Sequence, residues 1–361
     1  MPPLSRRSAK RKCGLRTGSG WGRRGQAMTE TAFSRPMRRI PARTSTPPTR
    51  IAVVDAEPGA DDAAVWARCS AGRLRTLLDC TGAVLLRGFG VADAATLRSV
   101  LNAVATMPLG YDERTTRRRA VGADVYTSTD HPARQTILPH NENAYASTWP
   151  ALLLFCCARS AVRGGETPLY DGRRVLAEMD QTTVEELSRR EVLHVRNFGT
   201  GLGLGIEEAF GVSERCAIER RLGEAGIAFE WLPGGGLRTR WRTRPVLVHP
   251  RTGERTFFSH VAFFHQSALP PEVRSDMLAL FGPHGLPHNT FFGDGAPIPD
   301  ATIAAVLAAY HRVETRFAWG RGDCLIVDNM LCAHGRRPFE GDRLVLVALA
   351  DPVHRSEARF A

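Results

Sequence analysis

The chain has 361 residues, 43% hydrophobic and 24% charged, which is ordinary for a globular protein and enough for one large domain or two small ones. A formal net charge of +11 suggests a nucleic-acid partner until it is located: residues 1–50 carry thirteen Lys and Arg against one acid, Glu30, whereas the rest holds 35 basic and 36 acidic residues. The remainder is therefore near neutral and gives no reason to expect nucleic acid, and no apolar run reaches the roughly 18 residues that a membrane span needs.

Residues 1–50 are basic and Pro-rich toward Thr46-Pro47-Pro48, without apolar periodicity, and read as a disordered extension. The segment lacks the apolar centre of a secretory signal; Met28 is an alternative start. Residues 51–361 show no internal linker or repeat and read as one domain. Residues 82–88 form a short buried strand, and 91–107 an amphipathic helix with Leu97, Val100, Leu101 and Val104 on one face. Strands follow at 124–129, at 151–157 (Leu152, Leu153, Leu154, Phe155), at 191–197, at 244–249 and at 255–259. Helices are expected near 173–179, 213–223, 272–281 and 301–313, and the last two strands at 322–329 and 343–349, joined by a polar loop. Many short strands with helices between them point to a mainly β fold with inserted helices, a double-stranded β-helix (jelly-roll) barrel. The eight cysteines include no Cys-x-x-Cys pair and are read as free thiols of a reducing, cytoplasmic protein.

The most informative residues are His140-Asn141-Glu142 and, some 190 residues on, His334-Gly335-Arg336. Two imidazoles and one carboxylate can occupy one face of an iron(II) ion and leave three positions open for a chelating cosubstrate and dioxygen. With 11 His and 37 Asp and Glu, one His-x-acid triplet is what chance supplies, so the surroundings must carry the reading. His140 precedes a strand and His334 lies in the loop between the last two strands, so the two are expected to face each other across one barrel mouth. Arg343 at the head of the last strand offers the planar two-pronged donor that the distal carboxylate of 2-oxoglutarate needs, and the Thr167 hydroxyl a second hydrogen bond.

From Gly82 to Asp351 the chain resembles the taurine dioxygenase superfamily of iron(II)/2-oxoglutarate-dependent oxygenases, most closely the branch that hydroxylates amino acids for nonribosomal peptides, as in syringomycin biosynthesis. The resembling pieces run in order: Leu85 to Gly90, Tyr126 to Thr129, His140 to Glu142 with Tyr145 and Trp149-Pro150, Gly164 to Pro168 with Asp171 and Arg173, Leu237 to Arg240, His249 to Gly253, Phe292 to Gly295, Trp319 with Gly322-Asp323, Asp328-Asn329, and His334 to Arg336 with Pro338-Phe339. The resemblance implies His140, Glu142 and His334 as iron ligands, Thr167 and Arg343 as 2-oxoglutarate contacts, and Fe(II), 2-oxoglutarate and O2 as the cofactor set. Glu142 stands where much of the superfamily has Asp, and its carboxylate argues against a halogenase. The chain departs from the branch pattern at residues 199–210, where Gly201, Gly203 and Gly205 replace a Trp-containing segment, and at Ser259-His260. Both departures put substrate identity in question.

The implied reaction is hydroxylation of an unactivated C–H of an amino acid, free or tethered to a carrier protein, in specialised metabolism, with desaturation or cyclisation as the alternative outcome. A zinc hydrolase using the same ligands leaves Thr167 and Arg343 unexplained, and a non-catalytic 2-oxoglutarate-binding jelly roll leaves the triad without a task. The remaining histidines are read as packing or surface groups, with His260 and His265 as candidate substrate contacts and Tyr126, Thr127 and Ser128 as candidate pocket residues.

Overall fold

The structure, a computed structural model, describes residues 51–59, 62–110, 118–128 and 130–361. The extension read from residues 1–50, the alternative start at Met28 and Thr129 lie outside them. The framework is a seven-stranded sheet in the order Ala52–Asp55, Ala83–Arg87, Cys324–Asp328, Thr148–Arg159, Leu344–His354, Val125–Thr127, Ala120–Gly122. The first two strands run parallel and every other pairing is antiparallel.

Its centre is the Thr148–Arg159 strand, which is twelve residues long because its neighbours cover both edges and other elements cover both faces. Leu153, Phe155 and Cys157 point into a core shared with Val53, Leu85, Leu325, Val327, Val347 and Leu349. On the opposite face the helix Ala94–Val104 lays Leu97, Val100 and Leu101 against the sheet. A strand buried on both faces cannot alternate apolar and polar residues, and the continuous run from Leu152 to Cys157 follows from that. Burial pushes the Cys156 thiol up to about 12 and that of Cys157 to about 11, so both are inert apolar filler.

Across this core lies a second sheet of three short antiparallel strands, Ile137–His140, Cys332–Arg336 and Leu169–Asp171, with Cys332–Arg336 in the middle. Leu169 and Cys332 close the core from that side. Two sheets face to face around one apolar layer form the expected jelly-roll core. They share no strand among the described residues, so the barrel stays open.

Several expected elements sit where the pattern put them: Ala83–Arg87, Val192–Phe198, Arg255–Phe257, Asp300–Val313 and Cys324–Asp328. The expected helix at 91–107 is trimmed to Ala94–Val104, because Asp93 and Thr96 cap its start reciprocally. The main correction concerns the segment between the last two strands. It is not all loop: Cys332–Arg336 is a strand, fully buried, and His334 lies within it.

Gly335 makes that strand possible. A β-carbon there would stand 2.6 Å from the Ile137 carbonyl oxygen, closer than any side chain tolerates. Gly335→Ala is therefore expected to push the two strands apart and cost about 1–3 kcal/mol, read by urea denaturation; an unchanged midpoint would contradict the close packing.

Candidate active site

The register of the small sheet pairs His334 directly with His140. Their rings lie 4.5 Å apart between centroids, so the two imidazoles are cross-strand neighbours on one sheet face and do not look at each other across a mouth. Glu142 lies two residues past His140, where the chain leaves the strand, and its Oε2 comes 3.9 Å from His334 Nε2. One donor atom from each of His140, Glu142 and His334 lies within 4.8 Å of the others, and all three residues are buried.

The turn carrying Glu142 is fixed by Asn329. Its Oδ1 accepts from the Glu142 amide at 2.8 Å, and its Nδ2 donates to the Glu142 and Pro150 carbonyls at 3.0 and 2.9 Å. Asn141 donates in return to the Asn329 carbonyl at 2.7 Å. The loop then reverses at Asn143, whose φ of +57° is tolerated by Asn better than by most side chains. Asp328 anchors the other side by accepting from the Met330 and Leu331 amides, Arg251 and His249. Asn329 thus locks the His140–Glu142 loop to the strand that leads into His334.

This donor set fits a divalent metal. His140 Nδ1 lies 2.9 Å from the Leu138 carbonyl; a carbonyl only accepts, so Nδ1 carries the proton and Nε2 keeps its lone pair. Burial holds His140 below, and His334 well below, the ordinary imidazole range, which keeps both in the neutral form a metal requires. The Glu142 carboxylate pairs with Arg118, whose guanidinium is 2.9 Å from Oε2, both side chains being about 5% exposed or less.

A cavity of about 30 Å³ adjoins the cluster, lined by His140, His334, Thr167, Arg118 and Arg343 among others. A second, of about 240 Å³, shares Ser128, Arg336 and Arg343 with it. Arg343 reaches in beside Gly165, donating from Nε to the Gly165 carbonyl at 3.0 Å. A β-carbon at Gly165 would lie 2.9 Å from Arg343 Cδ, and φ there is +74°, so Gly165 both allows the turn and admits the arginine. Burial, with Arg336 nearby, brings the Arg343 guanidinium down to about 10, still a cation at neutral pH. Thr167 Oγ1 accepts from Trp319 Nε1 at 3.1 Å, which leaves its own hydroxyl proton to donate elsewhere.

His140, Glu142, His334, Thr167 and Arg343 thus converge as the sequence suggested. Of the two histidines marked as substrate contacts, His260 packs behind the triad, its ring 5.4 Å from that of His140 and 4.9 Å from that of Tyr145. His265 turns away, to Ser267 and the Ile298 carbonyl. Ser128 lines the pocket, whereas Tyr126 packs on the main core. Beyond Tyr145, over whose ring Arg196 sits at 5.0 Å, lies a cavity of about 680 Å³ lined partly by Phe198, Ala209 and Phe210, beside the Gly-rich segment that departs from the family pattern. Sequence reasoning missed Arg118, hidden in the run Arg117-Arg118-Arg119, and gave Asn329 no role, although Asp328-Asn329 is one of the resembling segments.

A jelly-roll core with two imidazoles, a carboxylate and a buried arginine–threonine pair in one pocket defines a metal-dependent oxidising enzyme. The chain belongs to the family described as taurine catabolism dioxygenase TauD, TfdA, which matches residues 41–349. It is 38% identical to the dapdiamide synthesis protein DdaC of Enterobacter agglomerans over 280 residues, covering 78% of this chain and 85% of that protein. It is 30% identical to a clavaminate synthase-like protein of Arabidopsis thaliana over 285 residues, covering 76% and 83%. Among solved structures, the PvcB protein of Pseudomonas aeruginosa superimposes with a TM-score of 0.52 at 18% identity, over 92% of this chain and 97% of that one, which confirms the fold. Family membership makes the protein an iron(II)- and 2-oxoglutarate-dependent dioxygenase and sets aside the hydrolase and non-catalytic readings. No helix among the described residues is long and apolar enough to cross a membrane.

Because Asn329 serves both the loop and the strand, Asn329→Ala is expected to weaken divalent-metal binding by about 10–100-fold while the protein still folds. Cobalt(II) titration with circular dichroism as the folding control measures it; unchanged metal affinity would contradict the role given to Asn329.

Proposed function

We propose that the protein hydroxylates an unactivated C–H of an amino acid or of an aminoacyl group tethered to a carrier protein, as a step in specialised metabolism. The observation that carries this reading is one cavity joining His140 and His334 to Thr167 and Arg343. The relation to a protein of dapdiamide synthesis supports the biosynthetic setting.

In this reading Nε2 of His140, a carboxylate oxygen of Glu142 and a ring nitrogen of His334 hold the iron(II). Bound iron would supply the redox chemistry by which 2-oxoglutarate, dioxygen and R–H become succinate, carbon dioxide and R–OH. The protein's own part is placement. Arg343 has Nε committed to Gly165, and its two terminal nitrogens clamp the distal carboxylate of 2-oxoglutarate. The Thr167 hydroxyl, accepting from Trp319, donates its proton to the same carboxylate. His260, Phe263 and Phe155 pack around the two histidine rings and exclude water from that face.

Purified protein given iron(II), ascorbate and 2-oxoglutarate with a panel of amino acids is expected to release succinate, and Glu142→Ala and His334→Ala to release none. Arg343→Gln should raise the KM for 2-oxoglutarate by roughly 10–100-fold, the loss of a charge-assisted pair. Succinate release that survives Glu142→Ala would overturn the metal assignment; a KM unmoved in Arg343→Gln would overturn the cosubstrate assignment.

A further inference from the structure

The inner cavity shares four lining residues, Ser128, Arg336, Arg343 and Val345, with the outer cavity of about 240 Å³, so these four form the neck between the two. The outer cavity is dominated by one sign of charge. Arg119 stands exposed on its lining, Arg336 and Arg343 lie at the neck, and the one acid among the lining residues is the exposed Asp130. His131 adds no charge, because burial and the nearby Arg336 hold its ring below the ordinary imidazole range.

The two neck arginines sit over one ring. Their guanidinium carbons lie 5.1 Å (Arg336) and 5.6 Å (Arg343) from the Phe339 centroid. Like charges gathered in this way repel, and the hydrogen bonds they make go to carbonyls rather than carboxylates. Arg336, only 6% exposed, donates to the carbonyls of His131, Pro132 and Gln135 at 2.9, 2.6 and 3.0 Å. Arg343 donates to that of Gly165. Carbonyls orient a guanidinium without cancelling its charge, so the neck favours a small carboxylate anion.

We propose that the outer cavity is the port by which 2-oxoglutarate enters and succinate leaves, with Arg119 drawing the dianion to the rim and Arg336 passing it on to Arg343. The inference rests on the proposed function and adds a route to it. In that reading the distal carboxylate sits at Arg343, and Arg343 is a neck residue, so the cosubstrate goes in with its oxo-acid end first and its trailing carboxylate stops at the neck. A substrate held at the metal face then does not lie in the path of cosubstrate exchange. Arg119 lines the outer cavity and not the inner one, so it acts on the rate of arrival and not on the bound state.

Rates of binding test the port without any knowledge of the substrate. Protein loaded with cobalt(II) is mixed with 2-oxoglutarate in a stopped-flow instrument, and association and dissociation are followed by the absorbance of the metal. At low ionic strength Arg119→Glu is expected to slow association roughly 3–30-fold, a difference that shrinks at high salt, while Arg119→Lys follows the parent. Turnover at saturating 2-oxoglutarate is expected to stay the same in both. Leu344 also lines only the outer cavity, and Leu344→Trp narrows it. That variant is expected to slow association and dissociation by the same factor, leaving Kd in place, as an obstructed passage does and a lost contact does not. Circular dichroism checks folding, and the exposed Arg119 keeps the test open should Leu344→Trp not fold. Association as fast as the parent's in Arg119→Glu at low ionic strength, or a weaker Kd carried by faster dissociation alone, would overturn the port. Failure of the underlying cosubstrate reading shows differently, as a parent protein that does not bind 2-oxoglutarate at all.

Discussion

One backbone register governs the site. His334 and His140 stand opposite each other on adjacent antiparallel strands, and a slip of one residue in either would turn an imidazole to the other face of the sheet. Several features hold that register. Gly335 lets the strands approach, its amide donates to the Pro168 carbonyl at 3.1 Å, and the Leu169–Asp171 strand pairs with the other edge of Cys332–Arg336. Pro168 directly follows Thr167, so the same pairing that aligns the histidines also brings the Thr167 hydroxyl to the cavity they line. The large sheet serves as the rigid wall against which this small sheet packs, and it contributes Phe155, whose ring lies 5.3 Å from that of His334.

The electrostatics follow from where these strands lie. Burial keeps both triad histidines neutral and leaves the cavity with three arginines on its lining. A pocket of this kind attracts small dianions and monoanions and orients them by hydrogen-bond geometry, since planar guanidinium groups match carboxylates. Outside residues 1–50 the chain is close to neutral. The composition therefore says little about the site, and the basic extension says nothing about the ligand.

The fold class was legible because a doubly buried strand writes an apolar run, and the chemistry because the His140-Asn141-Glu142 triplet, itself no more than chance supplies, stands in an ordered set of segments that resemble one family. The strand Cys332–Arg336 was not legible. Its residues Cys332, Ala333, His334, Gly335 and Arg336 carry none of the β-branched alternation that marks a strand, because the site's needs determine its composition. Leu169–Asp171 escaped for a related reason, being three residues long and bounded by Pro168 and the helix cap Asp171. Arg118 escaped because its meaning lies in a partner 24 positions away, and an arginine among arginines shows no pattern of its own. The Gly-rich departure at 199–210 was visible as a difference, and the structure gives it a place next to the cavity beyond Tyr145.

The proposed function requires the cross-strand pair of histidines and the glutamate held by Asn329 to hold one metal ion together. Anomalous diffraction at the iron edge, from crystals grown anaerobically with iron(II), tests it most directly. One strong peak is predicted, at bonding distance of about 2.0–2.2 Å from nitrogen atoms of His140 and His334 and an oxygen of Glu142. Iron located elsewhere, or bound without any one of the three, would contradict a site built from these residues.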